Sequence, residues 1–130
     1  MSNSKKILIV DDDPDMLRLM SVKLKKNGYE VVIAGDGVAC MSMVRKETPD
    51  LIVLDLGLPA GDGFKTLERL KSLVPFSSIP VIVLTARVAA EAKDKALNAG
   101  ASAFFEKTAS KDEVLGAVWR LLDESGSGEI

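Results

Sequence analysis

The residues of this sequence that are best suited to chemistry are three aspartates, a threonine and a lysine. Asp11 and Asp12 directly follow a short apolar run, and Asp55, Thr85 and Lys107 each follow a later one. Clustered carboxylates repel one another, so at neutral pH they need a bound cation or the protonation of one member. Oxygen ligands without His or Cys favour a hard cation, and Mg²⁺ is the usual cellular choice.

An aspartate beside such an ion can act as a nucleophile toward a phosphoryl group and form an aspartyl phosphate. Asp55 is a carboxylate that can take this role. Lys107 and the metal would offset the charge of the transferring group, and Thr85 would donate a hydrogen bond to one of its oxygens. The chain contains no histidine, which excludes Ser-His-Asp and Cys-His catalysis and the commonest zinc ligands.

Each of these residues also has a plainer interpretation when it is taken alone. Asp13 is expected to cap a helix and is left out of the site. Thr85 is a β-branched residue at a strand end, and Lys107 is an ordinary solvated lysine. Four separate strand ends nevertheless deliver the residue types that phosphoryl transfer needs, which would be a rare coincidence.

The elements that must position these residues alternate along the chain. Short apolar runs at residues 7–10, 31–34, 51–54, 81–84 and 103–105 predict strands buried on both faces. Longer amphipathic segments at residues 14–27, 37–46, 63–73, 89–98 and 110–122 predict helices. This alternation predicts a doubly wound α/β fold, in which the residues that follow parallel strands meet at one edge of the sheet.

Residues at the predicted helix ends support these boundaries. Asp13 and Asp62 precede the first and third helices as caps, and Gly28 ends the first helix. Ser110 begins the fifth segment as its cap and forms a capping box with Glu113.

Length and composition indicate one globular domain. The chain has 130 residues, of which 47% are apolar and 28% charged, and its net charge is −2. Its Lys and Arg residues are scattered, so we expect no nucleic-acid surface within this chain. The single cysteine, Cys40, fits a reducing compartment and a cytoplasmic location. The apolar run near the N-terminus is too short for a signal peptide or a membrane span.

Taken together, the sequence resembles the receiver domains of two-component response regulators. The resemblance is carried by ILIVDDDPDM, PDLIVLDLGLPAGDGF, IPVIVLTA and NAGASAFFEK, whose order and spacing are more specific than any single motif. It covers residues 5–122 and leaves residues 123–130 as a flexible tail or the start of a linker. It implies a flavodoxin-like fold with a five-stranded parallel sheet in the order 2-1-3-4-5 and five helices.

The resemblance also implies a role for each residue of the set. Asp11 and Asp12 correspond to the acidic pair that holds Mg²⁺, with Asp55 and the backbone carbonyl of Gly57 as further ligands. Asp55 corresponds to the phosphoacceptor, and Lys107 corresponds to the lysine of the family pattern.

Two further residues correspond to the family's conformational switch. Phosphoryl oxygens attract the hydroxyl of Thr85, and Phe104 then occupies the space that Thr85 leaves, which alters the face formed by helix 4, strand 5 and helix 5. The phosphodonor would be a phosphohistidine of a sensor histidine kinase or a histidine phosphotransfer domain, in agreement with the absence of histidine here. The altered face would regulate an output domain or a target protein.

Three positions depart from the family pattern. Thr108 follows Lys107, where the family usually has proline and commonly a cis bond. A non-proline cis bond costs about 2.5–4 kcal/mol, so either the loop meets this cost or the bond is trans. Gly57 stands where the family often has a larger residue, and Arg87 lies two places after Thr85. We expect both positions to influence the lifetime of an aspartyl phosphate.

Three other functions stay open at this point. A small phosphatase would place a second aspartate where this chain has Gly57, and would show steady turnover of a phosphate ester. A flavin-binding protein would be coloured and would need a loop rich in Ser, Thr and Gly after the first strand, where this chain is acidic. A pseudo-receiver would bind partners without phosphorylation, and the complete acidic set together with Thr85 counts against it.

Overall fold

The computed structural model describes residues 4–58, 62–86 and 90–127. In these ranges five strands alternate with five α-helices, as the sequence predicts. The strands are β1 Lys6–Val10, β2 Glu30–Ala34, β3 Leu51–Leu54, β4 Val81–Thr85 and β5 Ala103–Glu106. The helices are α1 Pro14–Lys26, α2 Gly37–Glu47, α3 Asp62–Ser72, α4 Ala90–Asn98 and α5 Lys111–Ser127. A short 3₁₀ helix at Phe76–Ser78, between α3 and β4, was not predicted.

All strand pairs are parallel, and the sheet order is β2-β1-β3-β4-β5. This confirms the predicted flavodoxin-like class and strand order. Val10, the last residue of β1, lies opposite both Ala34 and Leu54, so these three strands end at the same level. Their carboxyl ends therefore form one edge at which the following residues meet.

The core consists of two apolar layers, one on each face of the sheet. Leu8 contributes to the layer covered by α2, α3 and α4, and its neighbour Ile9 to the layer covered by α1 and α5. This alternation follows from the period of two residues in a strand. Strands β1, β3 and β4 are buried along nearly their whole length, which explains their uninterrupted apolar sequences.

The predicted helix caps are present at α1 and α5. Asp13 Oδ1 accepts a hydrogen bond of 3.0 Å from the backbone N–H of Asp15. Gly28, just after α1, has a φ of +91°, a conformation that favours glycine. At α5, Ser110 Oγ accepts a bond of 3.1 Å from the N–H of Glu113.

The remaining differences from the predicted elements lie at helix ends. Helix α3 begins at Asp62 itself, so the prediction that this residue precedes the helix is wrong by one position. Helix α5 continues past residue 122 to Ser127, and no proline stands in that stretch to stop it. Residue 89, the predicted start of α4, and residues 128–130 lie outside the described ranges. The assignment of residues 123–130 to a flexible tail or linker stays a prediction.

None of the helices in the described ranges combines the length and the apolar character that crossing a membrane requires.

The thiol of Cys40 is fully buried between α2 and the sheet. Burial raises the pKa of this thiol to about 12, so the reactive thiolate is scarce near neutral pH. We expect the folded protein to resist Ellman's reagent at mildly alkaline pH and to release one equivalent of chromophore in denaturing urea. Rapid reaction of the folded protein would contradict this placement of Cys40.

Candidate functional site

Asp11 and Asp55 lie side by side at the carboxyl ends of β1 and β3. The two strands are paired neighbours, and each aspartate directly follows its strand. The backbone N–H of Asp55 donates to the carbonyl of Val10 at 3.0 Å, and that of Asp11 donates to the carbonyl of Ala34 at 3.1 Å. These bonds continue the sheet ladder by one residue, so the backbone positions of both aspartates are fixed by the sheet itself.

Asp12 completes a carboxylate cluster with these two residues. One oxygen from each of Asp11, Asp12 and Asp55 lies within 4.8 Å of the others. Asp11 and Asp55 are only 2% and 5% exposed, whereas Asp12 is exposed and closes the cluster from the solvent side. Two opposite ligands of a Mg²⁺ ion are about 4.2 Å apart, since each Mg–O distance is about 2.1 Å. The three carboxylates therefore match a hard divalent cation in ligand type, and the 4.8 Å limit on their separation is close to this spacing.

Lys107 reaches this cluster from β5. Its Nζ lies 2.9 Å from Asp11 Oδ2 and 3.3 Å from Asp55 Oδ2. Its backbone N–H donates to the carbonyl of Thr85 at 2.8 Å, which anchors the residue beside β4. Within the described residues Val74–Pro75 is the one cis peptide bond, so the bond from Lys107 to Thr108 is trans. Lys107 thus contacts the carboxylates of Asp11 and Asp55 although the peptide bond that follows it is trans, whereas the family usually has a cis bond there.

Burial and charge act against each other in the pKa values of this pair. Burial raises the pKa of Asp11 above its ordinary value, although hydrogen bonds from Lys107 and from the N–H of Asp13 oppose the rise. Burial also acts to lower the pKa of Lys107, but its hydrogen bond with Asp11 and the charges of Asp11 and Asp55 outweigh burial and raise it. Lys107 is therefore protonated near neutral pH and partly offsets the negative charge of the cluster.

The Asp55 carboxylate is oriented by groups on both of its oxygens. The N–H of Gly57 donates to Oδ1 at 2.8 Å, and Lys107 lies beside Oδ2. A Cβ atom at position 57 would lie 3.3 Å from Oδ1, so glycine leaves open space next to this oxygen. The structure thus brings Gly57 to the site through its N–H, and the predicted role of its carbonyl as a metal ligand stays a prediction.

Asp13 contributes a contact that the sequence analysis missed. Besides capping α1, it donates its backbone N–H to Asp11 Oδ1 at 3.0 Å. A hydrogen bond from residue i+2 to an aspartate side chain is typical of an Asx turn, for which the Asp-Asp-Asp-Pro sequence is a usable signal. The Asp13 carboxylate itself stays outside the cluster, as predicted.

Thr85 is the fully buried last residue of β4. It lies two residues beyond Val83, which is opposite Leu54, so Thr85 is placed beside the segment that follows β3. This segment begins with Asp55. The structure therefore brings Thr85 to the same edge of the sheet as the carboxylates.

Phe104 occupies a different position from the converging residues. It lies within β5 opposite Val83, is partly buried, and packs against the layer of α2, α3 and α4. It also lines a cleft of about 260 Å³ together with Ala90, Lys93 and Thr108. This neighbourhood between β5 and α4 is compatible with a side chain that changes position, and the switch role stays a prediction. Arg87 lies outside the described residues.

Gly63 is a positioning residue that the sequence analysis treated only as the first residue of the third helix. A Cβ atom there would lie 2.4 Å from Leu56 Cα and 2.7 Å from the carbonyl oxygen of Asp55. Any larger residue would push the first turn of α3 away from the segment that carries Asp55. A glycine in the first turn of a helix, where it weakens the helix, is the sequence signal for such close packing.

Comparisons with known proteins agree with this arrangement. KdpE of Mycobacterium tuberculosis, a transcriptional regulatory protein, is 37% identical over 109 residues, which cover 84% of this chain and 47% of KdpE. RpaA of Synechocystis, a DNA-binding dual master transcriptional regulator, is 38% identical over 117 residues, which cover 90% of this chain and 48% of RpaA. The chain thus spans about half the length of the curated relatives that it matches.

Solved structures show the same likeness over nearly complete chains. A CheY-like receiver domain protein from Methanospirillum hungatei has 33% identity and a TM-score of 0.86, covering 94% of this chain and 96% of that one. The BeF3-activated N-terminal receiver domain of RstA from Klebsiella pneumoniae has 32% identity and a TM-score of 0.80, covering 89% and 96%. The sequence profile of the response regulator receiver domain matches residues 7–119. This chain belongs to the response regulator receiver domain family of two-component signal transduction.

Proposed function

We propose that this protein is a phosphoacceptor switch. Asp55 accepts a phosphoryl group in a Mg²⁺-dependent reaction from a phosphohistidine on a sensor histidine kinase or a histidine phosphotransfer domain. The observation that carries the proposal is the convergence of Asp11, Asp12 and Asp55 with the Lys107 ammonium at one edge of the sheet.

Asp55 supplies the attacking oxygen, because its carboxylate is held in place on both sides. The Gly57 N–H fixes Oδ1, and the ammonium of Lys107 lies close enough to Oδ2 to offset the charge that accumulates during transfer. A Mg²⁺ ion held by Asp11, Asp12, Asp55 and the Gly57 carbonyl would supply further charge neutralisation. The side chains of this chain thus position the acceptor, and the phosphohistidine comes from another molecule.

The chemistry of this chain is limited to its own phosphorylation and slow dephosphorylation. A phosphatase of the aspartyl-phosphate type needs an acid two residues after the nucleophile, and Gly57 has no side chain to supply one. The site therefore favours a signalling receiver over an enzyme that acts on free phosphate esters.

The response to phosphorylation passes from β4 to β5. Thr85 turns toward the phosphoryl oxygens, and Phe104 moves into the space that is left. The cleft beside Phe104 and the partial burial of its ring support this assignment. The face formed by α4, β5 and α5 then regulates an output domain or a target protein, in line with relatives that are about twice as long. The single buried cysteine supports a cytoplasmic location for this switch.

The proposal predicts a mass gain of one phosphoryl group when the protein is incubated with Mg²⁺ and acetyl phosphate. Asp55→Asn should abolish the gain, because the amide is not a comparable nucleophile. Replacement of Mg²⁺ by EDTA should reduce the gain strongly. Intact-protein mass spectrometry measures all three samples.

Asp94→Asn provides the matched control, since Asp94 is an exposed aspartate on α4 and belongs to no part of the site. This variant should gain the phosphoryl group like the parent protein. Absence of a gain in the parent protein would favour the pseudo-receiver, and a gain that persists in Asp55→Asn would place the acceptor at another residue.

A further inference from the structure

The outer side of α5 carries an exposed tryptophan next to an open hollow. Trp119 is the only tryptophan of the chain and is 62% exposed. A single apolar residue on a surface is ordinary, so its exposure alone has no meaning. The hollow beside it gives the exposure a context, because an indole ring is a large apolar group that is normally covered by a contact.

The hollow lies between α5 and the end of α1 and has a volume of about 420 Å³. It is lined by Asn27, Tyr29, Leu115, Gly116 and Trp119. Gly116 is exposed, and a Cβ atom there would have no neighbour within 4 Å, so the missing side chain leaves this space open. Tyr29 and Leu115 are half-buried and give the hollow an aromatic and an aliphatic wall. Such walls suit a flat apolar ring.

The ring and the hollow are arranged so that two copies of the chain complement each other. Gly116 and Trp119 are three residues apart on α5 and therefore lie on the same side of the helix. A two-fold axis that passes between residues 117 and 118 makes the two α5 helices antiparallel and places each Trp119 opposite Gly116 of the second copy. Each ring then enters the hollow of the other copy. In a parallel pair the two rings would face each other, and both hollows would stay empty.

Two charged residues that flank this side of α5 favour the same arrangement. Glu113 and Arg120 are both exposed and lie seven residues apart on one flank of the helix. The same axis brings Glu113 to within two residues of the level of Arg120 in the second copy, which is about 3 Å along the helix. Neither residue forms an ion pair with a side chain that the structure describes in its own chain. Two ion pairs can therefore form between the copies.

One pair of like charges opposes this arrangement. Asp112 and Asp123 are exposed on the same side of α5, and the axis places each opposite the other in the second copy. Lys23 of α1 offsets part of this charge, since its Nζ lies 3.4 Å from Asp112 Oδ1. Exposed charges at the rim of a contact are screened by water and salt, so this repulsion weakens the pairing only slightly.

We propose that the outer side of α5, centred on Gly116 and Trp119, binds a second copy of this chain in an antiparallel contact with two-fold symmetry. The two indole rings would bury roughly 300–500 Å² of their own surface. A stable interface buries about 1,200–2,000 Å² in total, so this contact forms a weak dimer that is populated at high protein concentration.

The first test is sedimentation velocity from micromolar to millimolar protein, with front-face fluorescence of the same samples. We expect the sedimentation coefficient to rise toward that of a dimer while the emission of Trp119 shifts to shorter wavelength, because the ring leaves water. Trp119 is the only tryptophan, so this signal comes from α5 alone. A monomer at every concentration, or a dimer in which Trp119 still emits as an exposed ring, would overturn the proposal.

Reversal of charge tests the antiparallel arrangement itself. At low ionic strength Glu113→Arg and Arg120→Glu should each weaken the dimer several-fold, because like charges then meet across the axis. The double variant should restore dimerisation, since the pairs form again with exchanged signs. Seven residues span about 10.5 Å along a helix, too far for an ion pair within one α5, so restoration requires the second copy. A double variant as weak as the single ones would exclude this contact.

Two further variants separate a specific contact from general stickiness. Gly116→Gln fills the hollow without a clash and should weaken the dimer while the circular dichroism spectrum stays unchanged. Val38→Asp is the matched control, because Val38 is 78% exposed on α2, which covers the other face of the sheet. This variant should dimerise like the parent protein, and an equal loss in both variants would contradict the assignment to α5. None of these outcomes depends on whether Asp55 accepts a phosphoryl group.

Discussion

Gly63→Ala should destabilise the folded protein by about 3 kcal/mol, at the upper end of what overpacking of a core usually costs. The added methyl group would lie 2.4 Å from Leu56 Cα and 2.6 Å from the Leu56 carbonyl oxygen. Both are backbone atoms, so no change of rotamer can relieve the overlap. The first turn of α3 and the segment after β3 must separate, and this segment carries Asp55. Urea unfolding followed by circular dichroism measures the loss.

Gly116→Ala is the matched control, because the same substitution should there have the opposite sign. Gly116 is exposed in the interior of α5, and a Cβ atom at this position has no neighbour within 4 Å. Alanine is favoured over glycine in a helix interior by about 0.5–1 kcal/mol, so this variant should be more stable than the parent protein. If Gly63→Ala were also stabilising, the close packing of α3 on the segment after β3 would be wrong.

Lys107→Met should cost about 3 kcal/mol of stability at neutral pH in the absence of Mg²⁺, which is typical of removing one partner from a buried ion pair. Asp11 and Asp55, at 2% and 5% exposure, would lose the one cation within 4 Å that the described structure provides for them. Added Mg²⁺ should stabilise this variant more than the parent protein, because the ion then supplies the missing positive charge. Urea unfolding with and without Mg²⁺ measures both effects.

The pH dependence of this loss has a definite sign. Lys107 opposes the upward shift in the pKa of Asp11, so its removal raises that pKa further above the unfolded value. An acid with a raised folded-state pKa destabilises the fold when it is charged, and the penalty disappears as the pH falls through that pKa. The deficit of Lys107→Met should therefore be smaller at mildly acidic pH than at neutral pH.

Lys23→Met is the control for the loss of a lysine charge as such. Lys23 pairs with Asp112 at 3.4 Å, and both side chains are exposed, at 40% and 85%. An exposed pair of this kind contributes at most about 1 kcal/mol. Equal stability of Lys107→Met and the parent protein without Mg²⁺ would show that Lys107 does not stabilise the carboxylate cluster.

The sheet and the position of the site were predictable because both depend on short-range patterns. Uninterrupted apolar runs identified β1, β3 and β4, and their order in the chain placed Asp11, Asp55 and Thr85 at one edge. The strand order itself came from the family resemblance. The edge strand β5 was less distinct in the sequence, because its apolar run at residues 103–105 is only three residues long and the strand is half-buried.

The features that escaped prediction depend on contacts between residues distant in the sequence. A glycine at position 63 signals close packing without showing that its partner is the backbone of Leu56, and no local pattern shows that the carbon chain of Lys71 packs on Gly100. The geometry of Lys107 could not be derived from Thr108 alone, because a trans bond also allows contact with both carboxylates. Such contacts follow from the packing of helices on the sheet.

The two sides of the site belong to strands of unequal resistance to local opening. β1 and β3 are interior strands with hydrogen-bonded neighbours on both sides, whereas β5 pairs only with β4 and is half-buried. Backbone amides of interior strands exchange with solvent most slowly, and edge strands open at lower free energy. The carboxylates therefore follow strands whose amides exchange slowly, while Phe104 lies on the edge strand β5, which opens more easily, and Lys107 directly follows that strand. A chemical change at Asp55 can thus displace β5 while the hydrogen bonds between β1 and β3 stay intact.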